Sequence, residues 1–263
     1  METLRDLDLV RAVAPTVAAT EMRASGDGGM PTMVVRFSRF NTWYEIDSFW
    51  EGTFLERTAK GAFSKTIKEQ GRAVKVQFDH GYDARIGSVV LGVPEELYEA
   101  DDSPVGEVPL FDTAYNRELV PGLEAGAYGS SFRFRVIRDE WNDDPGTSDW
   151  NPKGIPERTI KEVRLMEFGP VVWPANPDAT AGLRSLTDDF YERLRSRDPR
   201  HVESLEARMR SLRTPDAGAA LLGTPAEGAA ETPADDAPAP CHPSGLSSAA
   251  RSRILAAPFL IAK

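Results

Sequence analysis

The chain has 263 residues, 41% of them apolar, and its 31 basic and 41 acidic side chains give a formal net charge of −10. This length allows one substantial core plus appendages, and the acidic balance argues against non-specific nucleic-acid binding, which depends on clustered Lys and Arg. No apolar run reaches the ~18 residues that a transmembrane helix needs, and the N-terminus lacks the apolar centre of a signal peptide. The single cysteine, Cys241, excludes an internal disulfide framework and fits a reducing cytoplasm.

The sequence of residues 1–30 predicts a flexible N-terminal segment. A mildly apolar stretch is followed there by the sequence SGDGG, whose glycines break any regular element. We interpret this segment either as a pro-segment or as an edge strand with a flexible link.

The predicted globular body consists mostly of short strands with few helices. β-Branched and aromatic residues, or strict apolar alternation, indicate strands, whereas Phe63 and Ile67, four residues apart and followed by Gly71, indicate a short helix. This mixture predicts an α+β fold with a mostly antiparallel β-barrel or bent sheet flanked by helices. The expected strands are 33–40, 42–46, 73–80, 88–93, 130–141 and 158–173, and the expected helices are 61–71 and 115–123.

The C-terminal third predicts a helical extension and then a tail. Residues 185–213 have a helical pattern, with Ser185 and Asp188 resembling a capping box and Pro199 expected to kink or split the helix. Residues 214–263 are rich in Ala, Pro and Gly, so we expect disorder, with a short apolar element at the very end.

The reactive side chains in the sequence allow catalysis by a serine nucleophile with a histidine base. Of the three histidines, only His80 lies in the predicted body. A serine hydroxyl needs such a base to accept its proton. Strand alternation puts Ser131, Arg133 and Arg135 on one polar face, whereas Ser130 lies on the phenylalanine side.

Each of these residues also has an ordinary structural interpretation. Alternation puts His80 on the face of Val76 and Phe78, which suits a core histidine. Ser131 fits a solvated strand serine equally well. Glu162, which shares a strand face with Arg164, fits an exposed strand acid. The residues alone therefore support a hydrolase as one option and go no further.

Four motifs in chain order resemble the prohead proteases of tailed bacteriophages. The stretch FNTWYEI leads into GTFLERTAKGAF at 52–63, which resembles the opening of that family. FDHGYDARIGSV at 78–89 resembles its histidine motif and GSSFRF at 129–134 its serine motif. IKEVRLMEFGPVVWPANPDA at 160–179 resembles its closing motif.

The resemblance implies a fold, a site and a role. It implies a catalytic domain over residues 31–184 with the assemblin-like β-barrel of herpesviruses, with Ser131 as nucleophile, His80 as general base and Glu162 as the orienting acid. It implies a serine endopeptidase that cleaves the phage major capsid protein, scaffolding segments and itself inside the assembling prohead in the host cytoplasm. No cofactor or metal is expected, because one cysteine and a lone core histidine cannot build a three-ligand zinc site without several carboxylates. No nucleic-acid or membrane partner is expected, and a homo-oligomer stays open.

The sequence leaves open an alternative nucleophile and two alternative functions. Phe132 and Arg133 replace the usual I-G after the family's serine, so Ser130 stays an alternative nucleophile. A non-catalytic capsid-assembly or scaffolding protein that keeps the protease fold is a second function. An unrelated β-barrel binding domain is a third, and it predicts His80 and Ser131 far apart.

Overall fold

The structure, a computed structural model, describes residues 7–14, 20–26, 28–172 and 183–213. The tail at 214–263, expected to be disordered, lies outside these residues. None of the described helices is long and apolar enough to cross a membrane. The strands are β1 (Leu9–Val13), β2 (Thr20–Arg23), β3 (Thr32–Arg36), β4 (Tyr44–Ser48), β5 (Gly52–Thr58), β6 (Lys75–Val76), β7 (Glu96–Glu99), β8 (Pro104–Pro109), β9 (Gly129–Asn142), β10 (Glu157–Val171) and β11 (Leu183–Ser185), and the helices are α1 (Ser64–Gln70), α2 (Ala114–Glu124), α3 (Thr187–Arg197) and α4 (Pro199–Arg213).

The larger sheet is mixed and nearly closed. Its strands follow the order β11-β1-β9-β10-β5-β4, and β6 pairs with β10 beside this path. β10 runs parallel to β5 and β6 and antiparallel to β9. The two end strands, β11 and β4, lie close to each other. The predicted α+β architecture with a bent or barrel-like sheet and flanking helices is therefore confirmed.

The second sheet is antiparallel, in the order β2-β3-β8-β7, and it packs against the larger sheet. Phenylalanine side chains fill the space between the two sheets. The ring of Phe37 stacks on Phe168 with centroids 4.7 Å apart and meets the edge of Phe63 at 5.6 Å. Gly106 admits this packing, because a Cβ atom there would lie 2.4 Å from the Phe168 ring.

The first strand differs from the expectation of a flexible N-terminal segment over residues 1–30. Residues Leu9–Val13 form β1, which is buried along its whole length and pairs with β11 on one side and β9 on the other. Four of its five residues are apolar, and the charge of Arg11 is matched inside the protein by Glu51 and Glu56. Burial with paired charges thus outweighs the weak local pattern.

Two predicted strands around the histidine are shorter than expected or absent. Of residues 73–80, only Lys75–Val76 pair in a strand, and a short 3-10 turn follows at 79–81. Residues 88–93 contribute a single bridge, from Gly92 to Leu110. The backbone leaves the extended region at Asp79, whose φ angle is 46°, and Gly87, with a φ angle of 65°, lies in the turn before residues 88–93.

The helical extension is split as predicted but begins differently. Asp198 separates α3 from α4, because Pro199 cannot continue the first helix. Ser185 lies in β11 and makes no capping box with Asp188. The Asp188 carboxylate instead accepts hydrogen bonds from the Ser48 hydroxyl at 2.6 Å and the Phe49 amide at 3.0 Å.

Candidate active site

Ser131 lies in the middle of β9, which is flanked by β1 and β10. Its Cα is in register with Ala12 on one side and Gly169 on the other. Its side chain has no exposed surface. The hydroxyl oxygen Oγ lies 2.7 Å from His80 Nε2 and 2.8 Å from the carbonyl oxygen of Arg11. The hydroxyl therefore has two acceptors for its single proton, and one of them is the imidazole.

His80 reaches Ser131 from a left-handed turn. Asp79 and His80 have φ angles of 46° and 56°, and Gly81 has 74°. Non-glycine residues adopt this region at a cost of ~1 kcal/mol or more each, and such strain concentrates at functional sites. The turn takes His80 out of the alternation with Val76, so its ring points at β9 instead of into the core.

Glu167 of β10 is the acid that contacts the imidazole. Its Oε2 lies 2.7 Å from His80 Nδ1. A carboxylate accepts at this position, so Nδ1 carries the proton and Nε2 presents a lone pair to the Ser131 hydroxyl. The second oxygen, Oε1, is buried and has no hydrogen-bond partner among the described residues. The hydrogen bond between Oε2 and Nδ1 therefore joins the carboxylate to the imidazole.

Gly169 allows the histidine segment to approach β10. A Cβ atom on this residue would lie 1.9 Å from the carbonyl oxygen of Gln77 and 2.9 Å from its carbonyl carbon. No side chain fits at such distances. The amide of Gln77 in turn donates to the carbonyl of Phe168 at 3.2 Å. Gly169 thus fixes the spacing between the strand that carries Glu167 and the turn that carries His80.

The structure does not bring the predicted acid, Glu162, to the imidazole, and this expectation is corrected. Glu162 pairs with Lys65 of α1 at 3.1 Å and is partly exposed. Glu167, five residues further along β10, takes the position expected for it. Sequence reasoning missed Glu167 although it lies within the closing motif. A signal was available, because it is a lone acid in the apolar stretch MEFGPVV.

Ser130, the alternative nucleophile, faces the other way. Its hydroxyl donates to the carbonyl of Arg36 in β3 at 2.6 Å, on the side of the second sheet. The predicted alternation of Ser131 with its neighbour is thus reproduced. Among the residues that the structure describes, no group of three or more His, Cys, Asp and Glu side chains is placed to hold a metal ion.

The three side chains are nearly removed from solvent. The exposed fraction is 6% for the His80 side chain and 1% for that of Glu167, and Ser131 is fully buried. Charge interactions are stronger in such an environment than in water. A hydroxyl, an imidazole and a carboxylate joined in this order have the arrangement that a serine hydrolase requires of its nucleophile, general base and orienting acid, so this class is the candidate for the site.

Comparison with known proteins narrows this class. The family model of caudovirus prohead serine proteases matches residues 19–191, a range that contains Ser131, His80 and Glu167. Since the match spans well over half of the chain, the chain belongs to this family, and membership indicates a protease of phage capsid assembly. Among solved structures, the chain is similar to the capsid assembly protease gp21 of bacteriophage T4, with 13% identity and a TM-score of 0.33, over 59% of this chain and 95% of that one. No curated protein matches the chain.

Proposed function

We propose that this chain is a serine endopeptidase that cleaves capsid-protein and scaffolding segments inside the assembling prohead. Family membership supports the protease and its setting. The observation that carries the serine mechanism is the continuous hydrogen-bond chain from Ser131 Oγ through both nitrogens of His80 to Glu167, with 2.7 Å at each step.

The geometry supports a two-step acyl transfer. In the first step, Ser131 Oγ attacks the carbonyl carbon of the scissile peptide while its proton passes to His80 Nε2. Glu167 stabilises the resulting imidazolium through Nδ1–H. The imidazolium then gives its proton to the leaving amine nitrogen, the C–N bond breaks, and an acyl-serine remains. Water, deprotonated by His80, attacks this ester and releases the second product.

The carbonyl of Arg11 offers the Ser131 proton a second acceptor, and this affects which protonation state can react. When His80 is protonated, Nε2–H donates to Oγ and the hydroxyl proton turns to the Arg11 oxygen, 2.8 Å away. When His80 is neutral, the hydroxyl can donate to Nε2 instead. Only the neutral state therefore prepares Oγ for attack.

The substrates follow from the proposed setting. We propose the phage major capsid protein, scaffolding segments and the protease itself as substrates, within the prohead in the host cell. An Ala/Pro-rich composition such as that of residues 214–250 is typical of segments that proteases cleave readily. This part of the chain is therefore our candidate for self-cleavage.

The test is co-expression of the full chain with the capsid protein of the same phage. We expect Ser131→Ala to stop cleavage, with a loss on the order of 10⁴-fold or more, because triad members act as a unit. Ser130→Ala is the matched control, since it makes the same chemical change one residue away and should affect cleavage mildly.

The outcomes separate the alternatives. If Ser130→Ala were inactive and Ser131→Ala active, the nucleophile would be Ser130 instead of Ser131. Cleavage by both variants would contradict the proposed serine mechanism. A wild-type chain that assembles with capsid protein but cleaves nothing would favour the non-catalytic assembly protein.

A further inference from the structure

Helix α3 contacts the left-handed turn on both sides of His80. Arg193 Nη1 lies 2.5 Å from the carboxylate of Asp79. Arg197 Nη1 donates to the carbonyl of Gly81 at 3.2 Å, and its guanidinium lies 4.5 Å from the ring centroid of Tyr82. The two arginines thus bind the residues before and after the histidine without contacting the imidazole.

The same helix is anchored firmly at its other end. Thr187 Oγ1 accepts a hydrogen bond from the amide of Val10 at 3.1 Å, and the Tyr191 hydroxyl accepts one from the amide of Asp8 at 3.1 Å. The Tyr191 ring also packs on Trp50 with centroids 4.2 Å apart. The N-terminal half of α3 is therefore fixed to β1, and its C-terminal half extends over the turn.

The turn needs such external support. Within the turn, the amide of Gly81 bonds to the carbonyl of Phe78 and that of Tyr82 to the carbonyl of Asp79, both at 2.9 Å. These two local bonds and the bonds of the His80 ring to Glu167 and Ser131 hold two consecutive non-glycine residues in the left-handed region, which persists only where the surroundings over-determine it. The contacts from α3 supply part of that constraint.

We propose that Arg193 and Arg197 are positioning residues, which hold the Asp79–Gly81 turn so that His80 Nε2 stays within hydrogen-bonding distance of Ser131. The inference rests on the proposed function of Ser131 and His80. Both arginines lie outside the region that matches the family model, because that match ends at residue 191.

A positioning role has a signature that a structural role lacks. Both arginines are exposed at the surface, and exposed ion pairs contribute little to stability. A displacement of about 1 Å at a catalytic group can nevertheless cost about 100-fold in rate. Removing the arginines should therefore lower reactivity while the protein remains folded.

The experiment measures how fast a small fluorophosphonate labels Ser131 in the purified full chain, with the site located by mass spectrometry. We expect Arg193→Ala/Arg197→Ala to slow labelling at least tenfold, with a melting temperature within a few degrees of wild type. Arg195→Ala is the matched control, because Arg195 lies on the same helix and pairs with Glu206 of α4 instead of the turn. It should label at the wild-type rate. Arg193→Lys, which can keep the ion pair, should restore part of the rate lost in Arg193→Ala.

A second measurement guards against a folding defect. Asp79→Asn breaks the pair with Arg193 from the side of the turn, so it should slow labelling as Arg193→Ala does and add little to it. The NMR resonance of the His80 Nδ1 proton should shift in these variants and stay unchanged in Arg195→Ala.

The results distinguish the two levels of the proposal. If wild type is not labelled at Ser131, the proposed function fails and this inference falls with it. If wild type is labelled and the folded double variant reacts equally fast, only the role of α3 is overturned. Equal slowing in Arg195→Ala would also overturn it, because the effect would then not depend on contact with the turn.

Discussion

The carboxylate of Glu167 reaches His80 because β10 carries an irregularity at Met166. On either side of it, Leu165 is in register with Phe134 and Glu167 with Arg133, so one residue of β10 has no partner of its own in β9. An inserted residue reverses the alternation of side chains. Glu167 and Gly169 therefore lie on the same face as Ser131, where a regular strand would have placed Met166 and Phe168.

The role of this carboxylate is tested by exchanging it for an amide of the same shape. We expect Glu167→Gln to lower the rate of peptide cleavage on the order of 10³- to 10⁴-fold, because an amide neither fixes the Nδ1–H tautomer nor stabilises the imidazolium. Kinetics with a fluorogenic peptide measures it. Glu162→Gln is the control and should stay within a few fold of wild type, since Glu162 pairs with Lys65. If Glu162→Gln lost more activity than Glu167→Gln, Glu162 would be the acid that orients His80.

The candidate site residues that sequence alone predicts are those defined by local motifs. His80 and Ser131 each follow from a short motif, and strand alternation separates Ser131 from Ser130. The acid does not follow in this way, because its face depends on an irregularity that forms only when β10 pairs with β9. A pattern with period two cannot reveal where the period breaks.

At the scale of elements, the site depends on how closely β10 and the segment before His80 approach. The carbonyl of Gln77 occupies the space where a side chain on Gly169 would begin. Any larger residue must push the segment at 77–80 away from the strand that carries Glu167. Backbone contact at one glycine therefore sets the distance between the proposed base, His80, and the proposed acid, Glu167.

Gly169→Ala should consequently reduce activity and stability together. We expect a loss of about 1–3 kcal/mol in the free energy of unfolding, as for other overpacked sites, and at least a tenfold slower labelling of Ser131 by a fluorophosphonate. Urea denaturation and labelling kinetics measure the two effects. Gly26→Ala is the matched control, because a Cβ atom there meets nothing within 4 Å. A variant at Gly169 with wild-type reactivity would show that the spacing is not critical.

The predictability of the fold also varies by element. β9 and β10 are long, and their apolar and β-branched residues make them visible in the sequence. β1 is not visible, because it has an arginine at its centre whose partners lie 40 and 45 residues further along the chain. The turn at 79–81 is hidden for a similar reason, since contacts from α3 and Gly169 stabilise a conformation that its own residues disfavour.

At the scale of the whole molecule, a buried charge network connects distant strands. Arg11 of β1 pairs with Glu56 of β5 at 2.7 Å and with Glu51 at 2.6 Å, and Arg158 of β10 pairs with Glu56 at 3.2 Å. All four side chains are removed from solvent. The backbone carbonyl of Arg11 also accepts a hydrogen bond from the Ser131 hydroxyl, so the network fixes the strand that borders the proposed nucleophile.

This network makes the stability of the protein sensitive to acid. Burial of the Glu56 carboxyl raises its pKa, but the charges of Arg11 and Arg158 and the hydrogen bonds from Arg11 and Tyr44 together outweigh burial, so its pKa in the folded protein lies below the ordinary value of 4.5. Between these two pKa values the unfolded state binds more protons, so stability rises with pH there. The contribution of Glu56 is fully present above about pH 4.5 and is lost as the pH falls through the lower, folded-state value.

We therefore expect the free energy of unfolding, measured by urea denaturation from pH 7 down to pH 3, to stay level and then to fall below about pH 4.5. Glu56→Gln should lower it by about 3–5 kcal/mol at pH 7, because two buried guanidinium groups lose a charged partner. It should also flatten the dependence on acid. Glu140→Gln is the control, since that carboxylate is exposed and pairs with Lys161 at the surface, and it should change stability by less than about 1 kcal/mol. If Glu56→Gln kept the steep acid dependence of wild type, another carboxyl group would have to be responsible for it.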